Sequence, residues 1–315
     1  MQYYLAPMEG ITTYIYRNVY HKYFWPMDKY FTPFLVPHSK KGFSARELRE
    51  IIPEHNEGLT LVPQIMSNQA KDCLNTMEKL KALGYEEVNL NFGCPSKTVV
   101  GKHRGAGFLA QTEELDRFLE EIFSHTDQKV SVKTRLGKYD PEEFEEILEI
   151  YNRYPIEEVI LHPRTQQDFY QKPVRLEAYA YAQEHSRNPL CYNGDVFTKE
   201  DGKRLVERFP KLTTLMLGRG LIGDPALAEK LEGIEPKDQW RRLRAFHDEI
   251  CAGYQEIGGG EKPVLFKMKE LWSYLFRLFP GSEKQSKKVR KAQNLTDYQG
   301  AVEEVFALLS RQAAI

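Results

Sequence analysis

Over the first three quarters of the chain, short runs of β-branched and aromatic residues alternate with stretches whose apolar positions recur at spacings of three and four. The short runs predict strands at Tyr3–Ala6, Lys29–Pro33, Leu59–Ile65, Glu87–Asn91, Lys129–Thr134, Glu157–His162, Pro189–Asn193 and Thr213–Leu217. Between most of them the helical period is plain, as over Ala70–Leu83, Glu113–Phe123, Glu142–Tyr154 and Lys199–Arg208. Strands separated by helices pair in parallel, because parallel neighbours need a crossover connection. Eight such units in about 230 residues predict an α/β fold of the closed (β/α)8 TIM-barrel type. A doubly wound open sheet is the alternative, and it rarely carries eight repeats of this regularity.

Beyond Pro236 the strand signal ends. Trp240, Leu243, Phe246, Ile250, Tyr254 and Ile257 share one helical face. Gly258–Gly260 interrupts that helix, Pro263 is placed to open the next, and Pro280–Gly281–Ser282 makes a turn before two more helical stretches, Glu283–Gln293 and Asp297–Ser310. The pattern therefore predicts two domains, a barrel over residues 1–236 and a C-terminal all-α helical bundle over residues 237–315. Charge divides at the same boundary: the tail holds 14 Lys/Arg against 10 Asp/Glu, in a chain of 315 residues whose net charge is −1. A chain that is not globally basic has to hold any nucleic-acid partner by a local patch. With 41% hydrophobic and 28% charged residues, a disordered or fibrous chain is excluded. The four cysteines, Cys73, Cys94, Cys191 and Cys251, have no Cys-x-x-Cys spacing; no metal site or disulfide framework is expected, and a reducing cytoplasm is. No apolar run reaches the roughly 18 residues of a membrane helix, and MQYYLAPMEG has no basic lead before an apolar stretch, so no signal peptide is expected.

In a parallel barrel the site is built where the strands end. The residues there are Met8–Glu9, Gln64, Asn91–Cys94, Lys133–Arg135, His162–Arg164, Asn193–Asp195 and Gly218–Arg219. Lys133, within VSVKTRLG, can stabilise an anionic ring or phosphate; the plainer reading is a lysine that snorkels from the strand end. Gly218 and Gly220 follow the last strand, with a short helix expected from Pro225, and late-strand loops of such barrels commonly hold phosphate. Taken alone, such glycines only make a turn. Cys94 stands between Gly93 and Pro95 at the head of a glycine-containing loop, rich in Lys and Arg and expected to be mobile, where a thiol can donate a proton and nearby cations tune it. Cys191 lies in an apolar run, and Cys73 and Cys251 lie on helical patterns, as structural cysteines do. His162 precedes Pro163–Arg164; a lone histidine is more often structural, but this one sits at a strand end beside an arginine. In the tail, Lys284, Lys287, Lys288 and Lys291 recur at three and four and so share a face, either a solvated surface or one that tracks phosphates.

Together these segments resemble the tRNA-dihydrouridine synthase family. The matching pieces are LAPMEGIT, VPQIM, NLNFGCPSKTV followed by GAGFL, VKTRLG, HPRT, YNGDV and LGRGLIGDP, in the family's order from Leu5 to about Pro225. The CPSKTV and KMKELWSYL segments are most similar to the bacterial subgroup that modifies the D-loop near position 16. The resemblance implies an FMN-dependent, cytoplasmic and monomeric enzyme that reduces the C5=C6 bond of a tRNA uridine, with NADPH or NADH as reductant. It implies hydride transfer from FMN N5 to C6 and a proton from Cys94 to C5, on a uracil taken out of the RNA stack. It places Pro7, Met8, Glu9, Gln64, Lys133 and His162 around the flavin ring and Asn193, Gly194, Asp195, Gly218 and Arg219 around its phosphate. Asn91 and Arg164 would meet the uracil, and the tail lysines the tRNA. Two positions depart from the family's pattern: Pro163 stands where glycine is usual, removing a backbone N–H, and Asp224 where asparagine is frequent. Two rival readings differ in class. An FMN barrel oxidoreductase acting on a small molecule, dihydroorotate dehydrogenase-like or an ene reductase, leaves the basic tail without a purpose. A tRNA-binding protein without catalysis leaves Cys94, Lys133 and Gln64 unexplained.

Overall fold

The computed structural model describes residues 1–37 and 42–312. Nine β segments make one all-parallel sheet: β1 (Gln2–Leu5), β2 (Lys29–Phe31), β3 (Leu61–Val62), β4 (Gln64–Ile65), β5 (Glu87–Phe92), β6 (Lys129–Arg135), β7 (Val159–His162), β8 (Leu190–Tyr192) and β9 (Thr214–Leu217). Their order is β3-β2-β1-β9-β8-β7-β6-β5-β4. The two end segments are one strand divided at Pro63, whose ring removes the N–H that a ladder needs. β3 pairs with β2 and β4 with β5, while the Pro63 carbonyl accepts from Asn89 N–H at 2.9 Å. The sheet thus closes into an eight-stranded barrel, and the single strand expected over Leu59–Ile65 is two short ones because of that proline.

Strand side chains alternate in direction, so the register assigns the interior. Tyr4, Ala6, Phe31, Val62, Ile160, Cys191 and Met216 form a buried apolar cluster. Asn89 is level with Ser131 and Asn91 with Lys133 across β5 and β6, and Lys133 and Arg135 are level with Ile160 and His162 across β6 and β7. The β5–β6 side of the interior is therefore polar.

The described chain divides into two compact units. The first, Met1–Pro7, Asp28–Asp195 and Val206–Leu217, contains every β segment. The second, Met8–Met27, Val196–Leu205 and Gly218–Ile315, is helical. In it the helix Tyr14–Tyr23 packs on the helix Gln239–Glu256, with the Tyr16 and Phe24 rings each edge-on to Phe246 at 5.4 Å. Gly258–Gly260 all have φ between 83° and 96°, the left-handed region that ends a helix at little cost. The next helix runs from Glu261 to Leu275, so Pro263 is its third residue rather than its first. A buried polar chain ties these helices to Leu295–Gln312: Trp272 Nε1–H donates to Tyr298 OH at 2.8 Å, Tyr298 to His247 Nε2 at 2.6 Å, and His247 Nδ1–H to Asp248 at 2.8 Å. Burial holds the His247 imidazole below its usual pKa, consistent with this neutral tautomer. Among the described residues no helix is long and apolar enough to cross a membrane.

Candidate active site

The first unit gathers its chemistry at the C-terminal ends of β4 to β8. Lys133 Nζ donates to Asn193 Oδ1 at 2.7 Å, and Asn193 cannot turn its amide, because its Nδ2 donates to the Met216 carbonyl at 2.8 Å. That is the one hydrogen bond of the ammonium among the described residues, leaving two N–H groups for a ligand. Burial, with the Arg135 charge adding to it, brings the Lys133 pKa down to about 8.

His162 is buried between cations. Its Nδ1 lies 2.7 Å from the Asn193 carbonyl, which only accepts, so Nδ1 carries the proton and Nε2 accepts from Arg164 Nη1 at 3.3 Å. Burial first, then Arg135, Lys133 and Arg164, hold its pKa well below the usual value, so the ring is neutral. Arg164, expected at the uracil, is 1% exposed and already committed. It makes a two-point ion pair with Asp195, reaches His162, and donates from Nε to the Lys172 carbonyl at 2.5 Å. Asp195, expected at the phosphate, is thus the counter-charge of Arg164. Gly194 beside it is a packing requirement, since a Cβ there would stand 2.2 Å from Tyr192 OH.

Gln64, expected to touch the flavin ring, is fully buried. Its Nε2 donates to Asn89 at 2.8 Å and its Oε1 accepts from Asn91 at 2.7 Å, each atom keeping the capacity for one further bond. Asn91 Oδ1 in turn accepts the backbone N–H groups of Gly93 and Cys94 at 3.1 and 3.0 Å. The segment after Cys94 is not the loop expected: it folds as a helix, Lys97–Val100, and a 3-10 helix, Gly105–Ala110. Ala106 N–H returns to the Cys94 carbonyl at 3.1 Å, and Gly105, at φ 54°, lies where a Cβ would stand 2.8 Å from that same oxygen. Cys94 is therefore held from both sides, with its partly exposed side chain in electrostatic reach of Lys133 and Arg135. Cys73, Cys191 and Cys251 are buried, as expected.

Two contributors had no role from the sequence: Arg135, which stood only among the strand-end residues, and Tyr170. Arg135 is two residues beyond Lys133 on the same face of β6 and is 2% exposed. It donates to the carbonyls of Gly93, Thr165 and Phe169 at 2.8–2.9 Å and lies 5.1 Å from the Tyr170 ring. Tyr170, 45% exposed, stands edge-on to His162 at 5.8 Å and had no signal in the sequence. At Pro163, where the backbone N–H is missing, the carbonyl accepts from Arg175 N–H at 2.9 Å and the neighbouring His162 ring keeps its contact with Asn193.

Pro7 belongs to this unit and is partly exposed. Met8, Glu9, Gly218 and Arg219 belong to the second. There Met8 N–H is capped by Thr12 Oγ1 at 2.8 Å, and Arg219 lies 5.5 Å from the Phe197 ring. A short helix, Arg219–Gly223, follows Gly218 at once, and the one expected from Pro225 runs over Leu227–Leu231. Asp224 pairs with Lys230 at 2.6 Å. Lys284, Lys287, Lys288 and Lys291 are all exposed on the helix Glu283–Lys291, with Lys288 paired to Glu304. Among the described residues no group of His, Cys, Asp and Glu could hold a metal.

The first unit thus offers three cations, Lys133, Arg135 and Arg164, against the Asp195 carboxylate, with a neutral histidine and a thiol beside them. Such a site suits an anionic ligand. Comparison with known proteins bears on which. Two tRNA-dihydrouridine(16) synthases are similar: that of Pseudomonas putida is 30% identical over 79% of this chain and 78% of its own, and that of Ralstonia nicotianae 26% identical over 98% of both. A solved structure, a variant of NCR from Zymomonas mobilis, shares the fold at a TM-score of 0.51 and 14% identity, over 74% of this chain and 87% of its own. The sequence model of the dihydrouridine synthase family matches residues 4–308, and the chain belongs to that family.

Proposed function

We propose that the protein reduces the C5=C6 bond of a uridine in the tRNA D-loop, near position 16 as in its named relatives, with FMN bound and NADPH or NADH as reductant. The observation that carries this reading is the buried cation surplus around Lys133, whose ammonium keeps two donors unspent. These residues fit FMN. Its ring is anionic when reduced and presents carbonyl oxygens, which Lys133 would meet as a donor, with the neutral His162 and the locked Asn193 beside it. Bound FMN would supply the hydride for C6.

The chain's own residues do the rest. Asn91 Nδ2 has a second hydrogen with which to orient a pyrimidine carbonyl. As charge builds on the uracil, Cys94 Sγ delivers its proton to C5 and becomes a thiolate, which the charges of Lys133 and Arg135 favour. Arg164, with Asp195 as its counter-charge, steadies the His162 ring. The first compact unit then carries the catalytic barrel, and residues 237–315, within the second, form a tRNA-binding domain that the exposed lysines serve.

The test is to purify the protein, quantify its FMN, and incubate it with unmodified tRNA and NADPH, mapping dihydrouridine by mass spectrometry. One FMN per chain and a new dihydrouridine in the D-loop are expected; a flavin-free protein, or one that reduces dihydroorotate-type or ene substrates and not tRNA, would sink the reading. Replacing Lys287, Lys288 and Lys291 with glutamate should weaken tRNA binding and flatten its salt dependence by about 0.7–0.9 per lost phosphate contact, leaving NADPH oxidation with a small acceptor unchanged. Wild-type affinity and slope would return those lysines to plain solvation.

A further inference from the structure

A continuous chain of hydrogen bonds runs through the barrel interior from its floor to the Cys94 backbone. At the floor, Lys29 Nζ donates to Glu87 Oε2 at 2.6 Å. Ser131 Oγ–H donates to Glu87 Oε1 at 2.9 Å, Asn89 Nδ2 to Ser131 Oγ at 3.0 Å, Gln64 Nε2 to Asn89 Oδ1 at 2.8 Å, and Asn91 Nδ2 to Gln64 Oε1 at 2.7 Å. The chain ends where Gly93 and Cys94 donate to Asn91 Oδ1.

The direction of every bond is forced by counting protons. An ionised carboxylate only accepts, so the single Ser131 proton goes to Glu87; its other acceptor, the Val88 carbonyl at 3.4 Å, also lies away from Asn89. Ser131 Oγ can then only accept from Asn89, which turns the Asn89 oxygen to Gln64. Gln64 must answer with its NH2 and is left with its oxygen towards Asn91. At the other end, backbone N–H groups only donate, which requires the Asn91 oxygen to face Gly93 and Cys94. The two ends demand the same polarity. Flipping any one amide would set donor against donor and acceptor against acceptor, in a buried place where an unmatched group is costly.

We propose that Asn89, backed by Ser131 and Glu87, is a positioning residue. It touches no ligand, but it sets which atoms of Gln64 and Asn91 point to the site and fixes the Cys94 backbone. The consequence for catalysis rests on the function proposed above; the polarity of the chain does not. In that reading the relay keeps an Asn91 N–H, not its oxygen, aimed at the pyrimidine, and stops the Cys94 thiol drifting relative to it.

The test reads the far end of the relay without cofactor or substrate. Ser131→Ala removes the acceptor of Asn89 while leaving Cys94 and its neighbours intact. Amide deuterium exchange at Gly93 and Cys94 is expected to quicken by about tenfold, the order for loss of one net hydrogen bond, and Ser131→Thr, which keeps the hydroxyl, is expected to restore it. Unchanged exchange at Gly93 and Cys94 in a folded Ser131→Ala protein, or no rescue by threonine, overturns the proposal. If Ser131→Ala does not fold, the side-chain amides of Asn89, Gln64 and Asn91 are followed by NMR in the unsubstituted protein. One slowly exchanging set of signals supports a single fixed polarity; rapid exchange or two sets refutes it. Because neither measurement involves flavin or tRNA, a failure here is distinct from a failure of the proposed activity.

Discussion

Two walls of the same barrel interior are held by different physics. On β1, β2, β7, β8 and β9 the inward side chains at mid-barrel are Tyr4, Phe31, Ile160, Cys191 and Met216, which fill space and exclude water, with Lys29 and His162 inward only at the strand ends. On β4, β5 and β6 they are Gln64, Glu87, Asn89, Asn91, Ser131 and Lys133, which are satisfied bond by bond. A packed wall tolerates any change that conserves volume, whereas a polar wall tolerates only changes that conserve the pattern of donors and acceptors. The first sort of wall makes a barrel stable, and the second sort costs stability in order to hold a site.

The contrast can be broken at three places. Ile160→Ala on the packed wall should lower unfolding free energy in urea by about 2–5 kcal/mol with little change in affinity for FMN or phosphate; a loss confined to ligand affinity would merge the two walls. Lys133→Met on the polar wall should do the reverse. The folded pKa of about 8 lies below the ordinary lysine value, so the buried charge costs stability that is fully felt below pH 8 and fades as pH rises from there to about 10.5. The variant is expected to be more stable than wild type at pH 7 by on the order of 1–3 kcal/mol, to lose that advantage towards pH 10.5, and to retain flavin poorly. Equal stability at all pH values with full flavin occupancy would contradict the assignment of Lys133.

The smallest effect concerns Glu158, at the foot of β7. Its Oε2 is buried with no hydrogen-bond partner, and burial brings its carboxyl up to about 7, opposed by Lys29 and aided by Glu87. A carboxyl with a raised folded pKa favours the fold least when ionised, so stability falls as pH rises from about 4.5 to 7. Glu158→Gln should therefore gain about 1 kcal/mol above pH 7 and nothing near pH 4.5; a gain independent of pH would point to packing instead.

Much of this was legible in the sequence, because the periods of two and of three to four directly report strands and helices. The barrel, the helical tail, the strand-end position of Cys94 and Lys133, and the buried state of Cys191 were all readable. What was not legible depends on partners far away in the chain. Arg164 reads as a free strand-end arginine until Asp195, 31 residues on, claims it. Gln64 reads as a lone strand-end amide until the β4–β5 register sets it between Asn89 and Asn91. The packing of Tyr14–Tyr23 on the tail helix Gln239–Glu256 left no local trace, and neither did Tyr170 at the rim of the site. Residue types and spacings name the candidates, but only the register shows which of them are spent on one another.

The central claim, that this site reduces a uridine and that Cys94 supplies the proton, is tested most directly by one experiment. Wild-type and Cys94→Ala proteins are reduced with NADPH, mixed in single turnover with unmodified tRNA, and the reappearance of oxidised flavin is timed. Flavin binding and its reduction by NADPH should be the same in both proteins, while reoxidation by tRNA should slow by about 10²–10⁴-fold in the variant, the usual worth of a general acid. Equal reoxidation rates in the two proteins would contradict the account.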